Sequence, residues 1–205
     1  MELDELMNKY GSDKARNGYV PMYHSFLKHL RDRPIDLLEV GIGTMIPGAP
    51  SSMVGYSLPG YAPGGSLRAW RDYFPHGQIV GVDIQPDTQF VDERIQTYLA
   101  DSSSKERLDS VLGDRLFDVI IDDGLHYDET QVKTMENLWH RVRPGGYYVI
   151  EDITEWSRIP TQFRSRIESI VGSDGFFFLT EKKNVLIASR KPASSVQYAS
   201  LPIPV

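Results

Sequence analysis

The sequence predicts a doubly wound, Rossmann-like α/β domain. Three observations carry this expectation. Short apolar runs of β type alternate with longer segments of helical spacing, the mark of a mostly parallel sheet. The strongest runs, IDLLEVGIG at 35–43 and FDVIIDD at 117–123, are apolar almost without interruption, as suits strands covered on both faces. Glycines and acids gather where these runs end, which is where open α/β sheets bind ligands.

The elements follow in order. The first strand is 35–43 and the second QIVGVDI at 78–84. RIQTYLAD at 94–101 is a weaker third, FDVIIDD at 117–123 the fourth and GYYVIEDI at 146–153 the fifth. Helices are expected over 66–73, 105–112 and 129–142. Ser66 follows a Gly-Gly pair and is placed to cap the first of them. In the third, Val132, Met135, Leu138, Trp139 and Val142 recur at helical spacing and read as a core face. Pro144-Gly145-Gly146 then turns the chain into the fifth strand. A helix over 161–171 precedes FFFLTEKKNVLIASRK, two β-type runs around a polar turn at 181–184. That pattern predicts an antiparallel hairpin closing the sheet, whereas NAD-binding domains end on another parallel unit.

Two stretches read as irregular. Residues 44–65 hold four prolines and five glycines, a lid-like loop between the first strand and its helix. Residues 193–205 read as a loose tail after one domain spanning 1–192. A length of 205 residues with 40% hydrophobic and 24% charged residues suits one soluble domain. The formal charge of -6 argues against a nucleic-acid surface. The chain has no cysteine, which excludes disulfides and thiolate chemistry. No apolar signal core or membrane-length apolar run is present, so a cytoplasmic protein without membrane contact is expected.

The cofactor end of the sheet carries three clues. Gly41 and Gly43 end the first strand and let a ligand approach the backbone, although a tight strand-to-helix turn explains them equally well. Asp83 ends the second strand, where an acid commonly accepts from ribose hydroxyls. Asp101, after the third strand, is placed either to meet an adenine edge or to cap a helix. The GxGxxG fingerprint is incomplete, because Thr-Met-Ile-Pro follows Gly43. S-adenosylmethionine (SAM) has no pyrophosphate to seat on a helix N-terminus, so the departure favours SAM over NAD.

At the neighbouring strand tips, Asp122, Asp123, Glu151, Asp152 and His126 would share one crevice. Each alone reads as an ordinary loop cap or surface histidine. Together, that much negative charge is costly without a cation, and an oxygen-rich set suits Mg²⁺ or Mn²⁺.

IDDGLH at 121–126 with IED at 150–152 resembles metal-dependent sugar O-methyltransferases of the mycinamicin and rhamnosyl type. YGSDK at 10–14, GYVPMY at 18–23, GGSLRAW at 64–70 and FPHGQIVGVDI at 74–84 stand in the matching order, so the resemblance covers roughly 8–153. The long 44–65 loop is where the chain departs from that family. The resemblance implies a class I methyltransferase sheet of seven strands, order 3-2-1-4-5-7-6, with the last strand antiparallel. It implies Asp123, Glu151 and Asp152 as metal ligands and His126 as general base. It places Glu39, Gly41, Gly43, Asp83 and Asp101 against SAM, with Asp122 supporting them. Tyr10 and the 1–30 segment would cover SAM or substrate. The implied reaction moves a methyl group from SAM to a hydroxyl of a glycoside or saccharide, in a homo-oligomer. Tyr56, Tyr61 and Trp156 are candidate stacking residues for the acceptor, and Arg68, Arg71 and Arg158 candidate phosphate contacts. The rival readings are a catechol or phenol O-methyltransferase, a nucleotide-binding oxidoreductase and a non-catalytic SAM-binding module.

Overall fold

The computed structural model describes residues 1–56, 61–153, 160–180 and 185–192. Its strands are β1 (Asp36–Val40), β2 (Gln78–Asp83), β3 (Val91–Asp92), β4 (Ile95–Leu99), β5 (Phe117–Asp122), β6 (Val142–Ile150), β7 (Gly175–Thr180) and β8 (Val185–Arg190). They form one eight-stranded sheet of order β3-β4-β2-β1-β5-β6-β8-β7. Neighbours from β4 to β6 run parallel. β8 runs antiparallel to β6, and β7 antiparallel to β8. The order from β4 onward is the expected one. The correction to seven strands is β3, which pairs antiparallel with β4 through Val91 and Asp92. Two residues carry no readable period. The hairpin turn expected at 181–184 lies outside the described residues.

The helices are α1 (Leu3–Lys9), α2 (Val20–Leu27), α3 (Gly65–Tyr73), α4 (Lys105–Leu112), α5 (Asp128–Leu138) and α6 (Pro160–Val171). A 3₁₀ turn at Trp139–Arg141 completes the helical stretch expected over 129–142. Ser66 does not cap α3. Gly64 does, at φ 87°, and a Cβ there would lie 2.3 Å from the Phe90 ring. Only glycine fits that left-handed, crowded position.

Strand side chains alternate between two faces, and the helices divide accordingly. Leu37, Val119, Ile121, Tyr147 and Val149 pack with α1, α2 and α3. Leu38, Val40, Ile120, Tyr148 and Ile150 pack with α4, α5 and α6. The N-terminal segment is therefore a structural layer as well as a neighbour of the cavity. Leu3, Leu6, Met7, Tyr23 and Leu27 are all at most 2% exposed. Full burial of one such side chain contributes roughly 1.5–3 kcal/mol, so this layer cannot lift away without dismantling half the core. Among the described residues, no helix is long and apolar enough to cross a membrane.

Candidate active site

The pleat sorts the acids at the strand tips. β1, β5 and β6 run in register, with Val40 opposite Asp122 and Asp122 opposite Ile150. Two further bonds carry the ladder past the strand ends: Asp123 N–H donates to the Val40 carbonyl at 2.9 Å, and Glu151 N–H to the Asp122 carbonyl at 2.9 Å. Alternation then sends Glu39, Asp123 and Glu151 to the α1–α3 face and Asp122 to the other.

Lys14, from the turn between α1 and α2, lies across all three acids. Its Nζ is 2.6 Å from Asp123 Oδ2, 2.8 Å from Glu151 Oε2 and 3.2 Å from Glu39 Oε1. Tyr23 donates its hydroxyl to the other Glu151 oxygen. Trp70 Nε1–H donates to Glu39 Oε2 at 3.0 Å. The side chains of Lys14, Glu39 and Glu151 are at most 1% exposed. Burial works against the Lys14 ammonium, but Asp123, Glu151 and Glu39 outweigh it and hold its pKa well above the ordinary value. Burial raises the Asp123 carboxyl, yet Lys14 and His126 bring it below the usual carboxylate range. Burial pushes Glu39 and Glu151 upward against the pull of Lys14.

The cavity side of the same tips is different. Asp152 sits in left-handed backbone at φ 50°, uncommon for a residue with a side chain. That kink breaks the alternation and places Asp152 on the cavity wall. Tyr19 donates its hydroxyl to Asp152 Oδ1. His126 Nε2 lies 3.3 Å from Asp123 Oδ1 and 3.7 Å from Asp152 Oδ2. One ligand atom from each of Asp123, His126 and Asp152 lies within 4.8 Å of the others. The two carboxylates are the groups of this set that suit Mg²⁺ or Mn²⁺, with the imidazole beside them. Burial lowers the His126 pKa, but Asp123, Asp152 and Asp122 overcome it and raise the net value.

Glu151, expected beside Asp123 and Asp152 as a ligand, stands beside Asp123 across the shared Lys14 ammonium, while the three groups that converge on the cavity wall are Asp123, His126 and Asp152. Lys14 and Tyr23 take both its oxygens on the buried side. Lys14, Tyr19 and Tyr23 were not singled out by the sequence, although all three fall in the YGSDK and GYVPMY segments. A sheet-face count would have put three acids over one spot and asked for a cation. Nothing in the pattern says which basic residue reaches it.

A cavity of about 590 Å³ opens beside the trio, ample for a nucleoside-sized ligand. Gly41, Gly43, Asp83 and Asp101 line it, as do Ser12, Asp13 and Lys14. Asp83 is held by amides: Ile42 N–H donates at 2.7 Å and Gln85 N–H at 2.8 Å. Asp101 accepts from Ser103 N–H at 2.9 Å and is not the helix cap; Ser104 caps α4. Gly41 answers to β5: a Cβ there would come 2.0 Å from the Asp123 carbonyl oxygen. Glu39 and Asp122 lie behind the wall and do not line the cavity. Tyr10 is a correction: it does not line the cavity, because its hydroxyl donates to Asp72 at 2.6 Å and accepts from Arg71 on α3.

The described part of the 44–65 loop spans the cavity mouth. Thr44 donates to Asp87 at 2.6 Å, Ser51 to the Gly124 carbonyl at 3.1 Å, and Arg16 to the Tyr56 carbonyl at 3.0 Å. Tyr61 donates to the Gly43 carbonyl at 3.1 Å, and both Tyr56 and Tyr61 face the cavity. Arg68 and Arg71 serve α3, meeting the Pro63 carbonyl, Asp72 and Asp92. Trp156 and Arg158 lie outside the described residues.

The fold and an adenosine-sized cavity at the strand tips define the class. Residues 60–153 match a methyltransferase domain family, and the sheet is that of class I SAM-dependent methyltransferases. Within that class the chain resembles the metal-dependent sugar O-methyltransferases of the mycinamicin and rhamnosyl type. It is 37% identical to mycinamicin VI 2''-O-methyltransferase of Micromonospora griseorubida over 156 residues, covering 74% of this chain and 36% of that protein. It is 36% identical to the 8-demethyl-8-(2-methoxy-alpha-L-rhamnosyl)-tetracenomycin-C 3'-O-methyltransferase of Streptomyces olivaceus, covering 74% of this chain and 37% of that one. The match thus spans little more than a third of these curated relatives. The MycE methyltransferase of the mycinamycin pathway, solved with Mg and SAH, superimposes with a TM-score of 0.73 at 25% identity, over 97% of this chain and 58% of that one. A second crystal structure of MycE holds Mg, SAH and mycinamycin VI.

Proposed function

We propose that this chain transfers the methyl group of SAM to a sugar hydroxyl of a glycoside, with a divalent ion and His126 as base. The convergence of Asp123, His126 and Asp152 on one cavity wall carries the reading. The likeness to the antibiotic sugar O-methyltransferases supports it. Asp83 and Asp101 would bind the ribose and adenine of SAM, with Gly41 and Gly43 giving close backbone approach. Asp123 and Asp152 would hold Mg²⁺ or Mn²⁺. A bound ion supplies charge that lowers the proton affinity of an acceptor hydroxyl and orients it.

The protein's own groups then do the rest. His126, on the cavity wall beside the ion's carboxylates, takes the acceptor proton, a contribution of typically 10²–10⁴-fold. Asp123, fixed from behind by Lys14, orients the imidazole through its 3.3 Å contact. Tyr19 holds Asp152 by the hydroxyl contact. Tyr56 and Met53 on the loop crossing the mouth are placed to shield the transfer from water.

The test is a methylation assay with SAM over a panel of deoxysugar glycosides and catechols, with Mg²⁺ and with EDTA. Methylated glycoside that disappears in EDTA, with SAH binding retained, is the expected result. Full turnover in EDTA removes the ion from the mechanism. Methylated catechol with untouched glycosides moves the chain to the phenol acceptors.

A further inference from the structure

We infer that residues 49–54 form a flap that swings on Gly48 and Gly55, and that Ser51 latches this flap to the turn presenting His126. Closing the mouth and seating the base are then one event; the role of His126 as base rests on the reading above. The flap has a firm root. Asp87 accepts from the Thr44 hydroxyl at 2.6 Å and from the Met45 amide at 2.8 Å. Beyond that root come two swivels. Gly48 and Gly55 stand in left-handed backbone at φ 78° and 84°, and a Cβ on either would meet nothing within 4 Å. Crowding therefore does not select these glycines. What they supply is backbone freedom.

The closed flap is tied to its surroundings by single hydrogen bonds. Met53 N–H donates to the Thr44 carbonyl at 2.9 Å, and the Ser51 hydroxyl to the Gly124 carbonyl at 3.1 Å. Just beyond it, Arg16 donates to the Tyr56 carbonyl at 3.0 Å. Ser51 itself lies at φ 56°, a costly conformation that persists only where the surroundings enforce it and that gathers at functional sites. Its bond to Gly124 is that enforcement.

Gly124 opens the turn that carries the base. Its N–H donates to Asp122 Oδ1 at 3.3 Å, and Tyr127 N–H closes the turn on the Leu125 carbonyl at 2.8 Å, with His126 between. The same flap lays Met53 against the cofactor end, where a Cβ on Gly43 would come 3.0 Å from Met53 Cγ. One short segment thus touches the glycine turn of β1 and the histidine turn of β5. Ser51 is a positioning residue that acts through Gly124.

The experiment is amide hydrogen exchange of the whole chain, read by NMR, for wild type, Ser51→Gly, Ser51→Asn and Gly55→Ala. Ser51→Gly frees the latch and should speed exchange at the Gly124 and Tyr127 amides about tenfold, the scale of one lost hydrogen bond. Gly55→Ala touches no part of the turn, yet it should act in the same direction, because a Cβ at that φ disfavours the closed flap. Ser51→Asn tolerates left-handed backbone and keeps a donor, so it should exchange as wild type does. On the glycoside that the panel above yields, Ser51→Gly should lower kcat about tenfold with the KM for SAM unchanged, as small misplacement of a reacting group does. Wild-type exchange at Tyr127 in both Ser51→Gly and Gly55→Ala overturns the inference and leaves the methyltransferase reading intact. Faster exchange spread through β5 and β6 marks Ser51 as a general structural prop and overturns it too. Full turnover in His126→Ala removes the base reading instead, whatever the exchange shows.

Discussion

Glu151 and Asp152 are chain neighbours of the same charge, yet they belong to two different regions. Glu151 lies in a dry pocket beneath the sheet tips, where Lys14, Tyr23, Glu39 and Trp70 complete one another. Asp152 lies on the open wall, near His126 and Asp123. The first region is closed, and one ammonium there serves Glu151, Glu39 and Asp123 together. The second is open to the cavity and has no lysine or arginine paired to Asp152 among the described residues. The difference teaches that the acids at these strand tips divide the work: some hold the site's frame, others face the chemistry.

Substitutions on the two sides should therefore fail in different ways. The largest effect belongs to the open wall. His126→Ala is expected to lower turnover about 10²–10⁴-fold while leaving the melting temperature near that of wild type. A collapse of stability in this variant would erase the division. Next comes the closed pocket: Trp70→Phe strips Glu39 of its indole donor and should cost about 1–3 kcal/mol in urea unfolding, with SAH affinity preserved. Asp83→Ala sharpens the comparison at the cofactor end. It should weaken SAH roughly tenfold in calorimetry, the scale of one lost charge-assisted contact. Unchanged affinity would show that Asp83 serves only the Ile42 and Gln85 amides.

The smallest effect concerns Asp122, the acid on the opposite face. One of its oxygens meets no hydrogen-bond donor among the described residues, and burial pushes its pKa up to about 7. In the unfolded chain the group titrates near ~4. Its folded pKa is thus raised, so the stability tied to its neutral form is full below pH ~4 and fades as pH rises through 7. Metal-free protein should melt at a higher temperature at pH 5 than at pH 8, and Asp122→Asn should narrow that gap. An equal gap in both proteins would break the assignment.

Much of this was legible before any coordinates. Long apolar runs separated by helical spacing gave the parallel core and its order, because burial on both faces leaves a continuous apolar record. β3 left none, being a two-residue bridge held by Asp92 and Val91 against β4. The α3 cap was misplaced by two residues because Gly64 is selected by the Phe90 ring, a distant neighbour. The gathering of Asp123, His126 and Asp152 could be anticipated from adjacent strand tips. Pleat parity puts Glu151 on the face of Asp123, and its pairing with Lys14 and Tyr23 is what the pattern does not show. Parity could be counted from the sequence. The reach of Lys14 could not, since it depends on how α1 and α2 pack. Tyr10 was misread for the same reason: Asp72 and Arg71 on α3 claim it.

Lys14 and Glu151 stand 137 positions apart. Lys14 precedes all three of its counter-charges, and the last of them emerges from the ribosome only after most of the sheet has been synthesised. Glu39 and Asp123 come before Glu151 and already offer the ammonium partners, but the α1–α2 layer reaches its final form only when Glu151 closes the cluster. Long-range closure of this kind slows folding. A nascent chain halted before β6 would accordingly hold a soft, protease-sensitive front half, and the centre would set in a single late step.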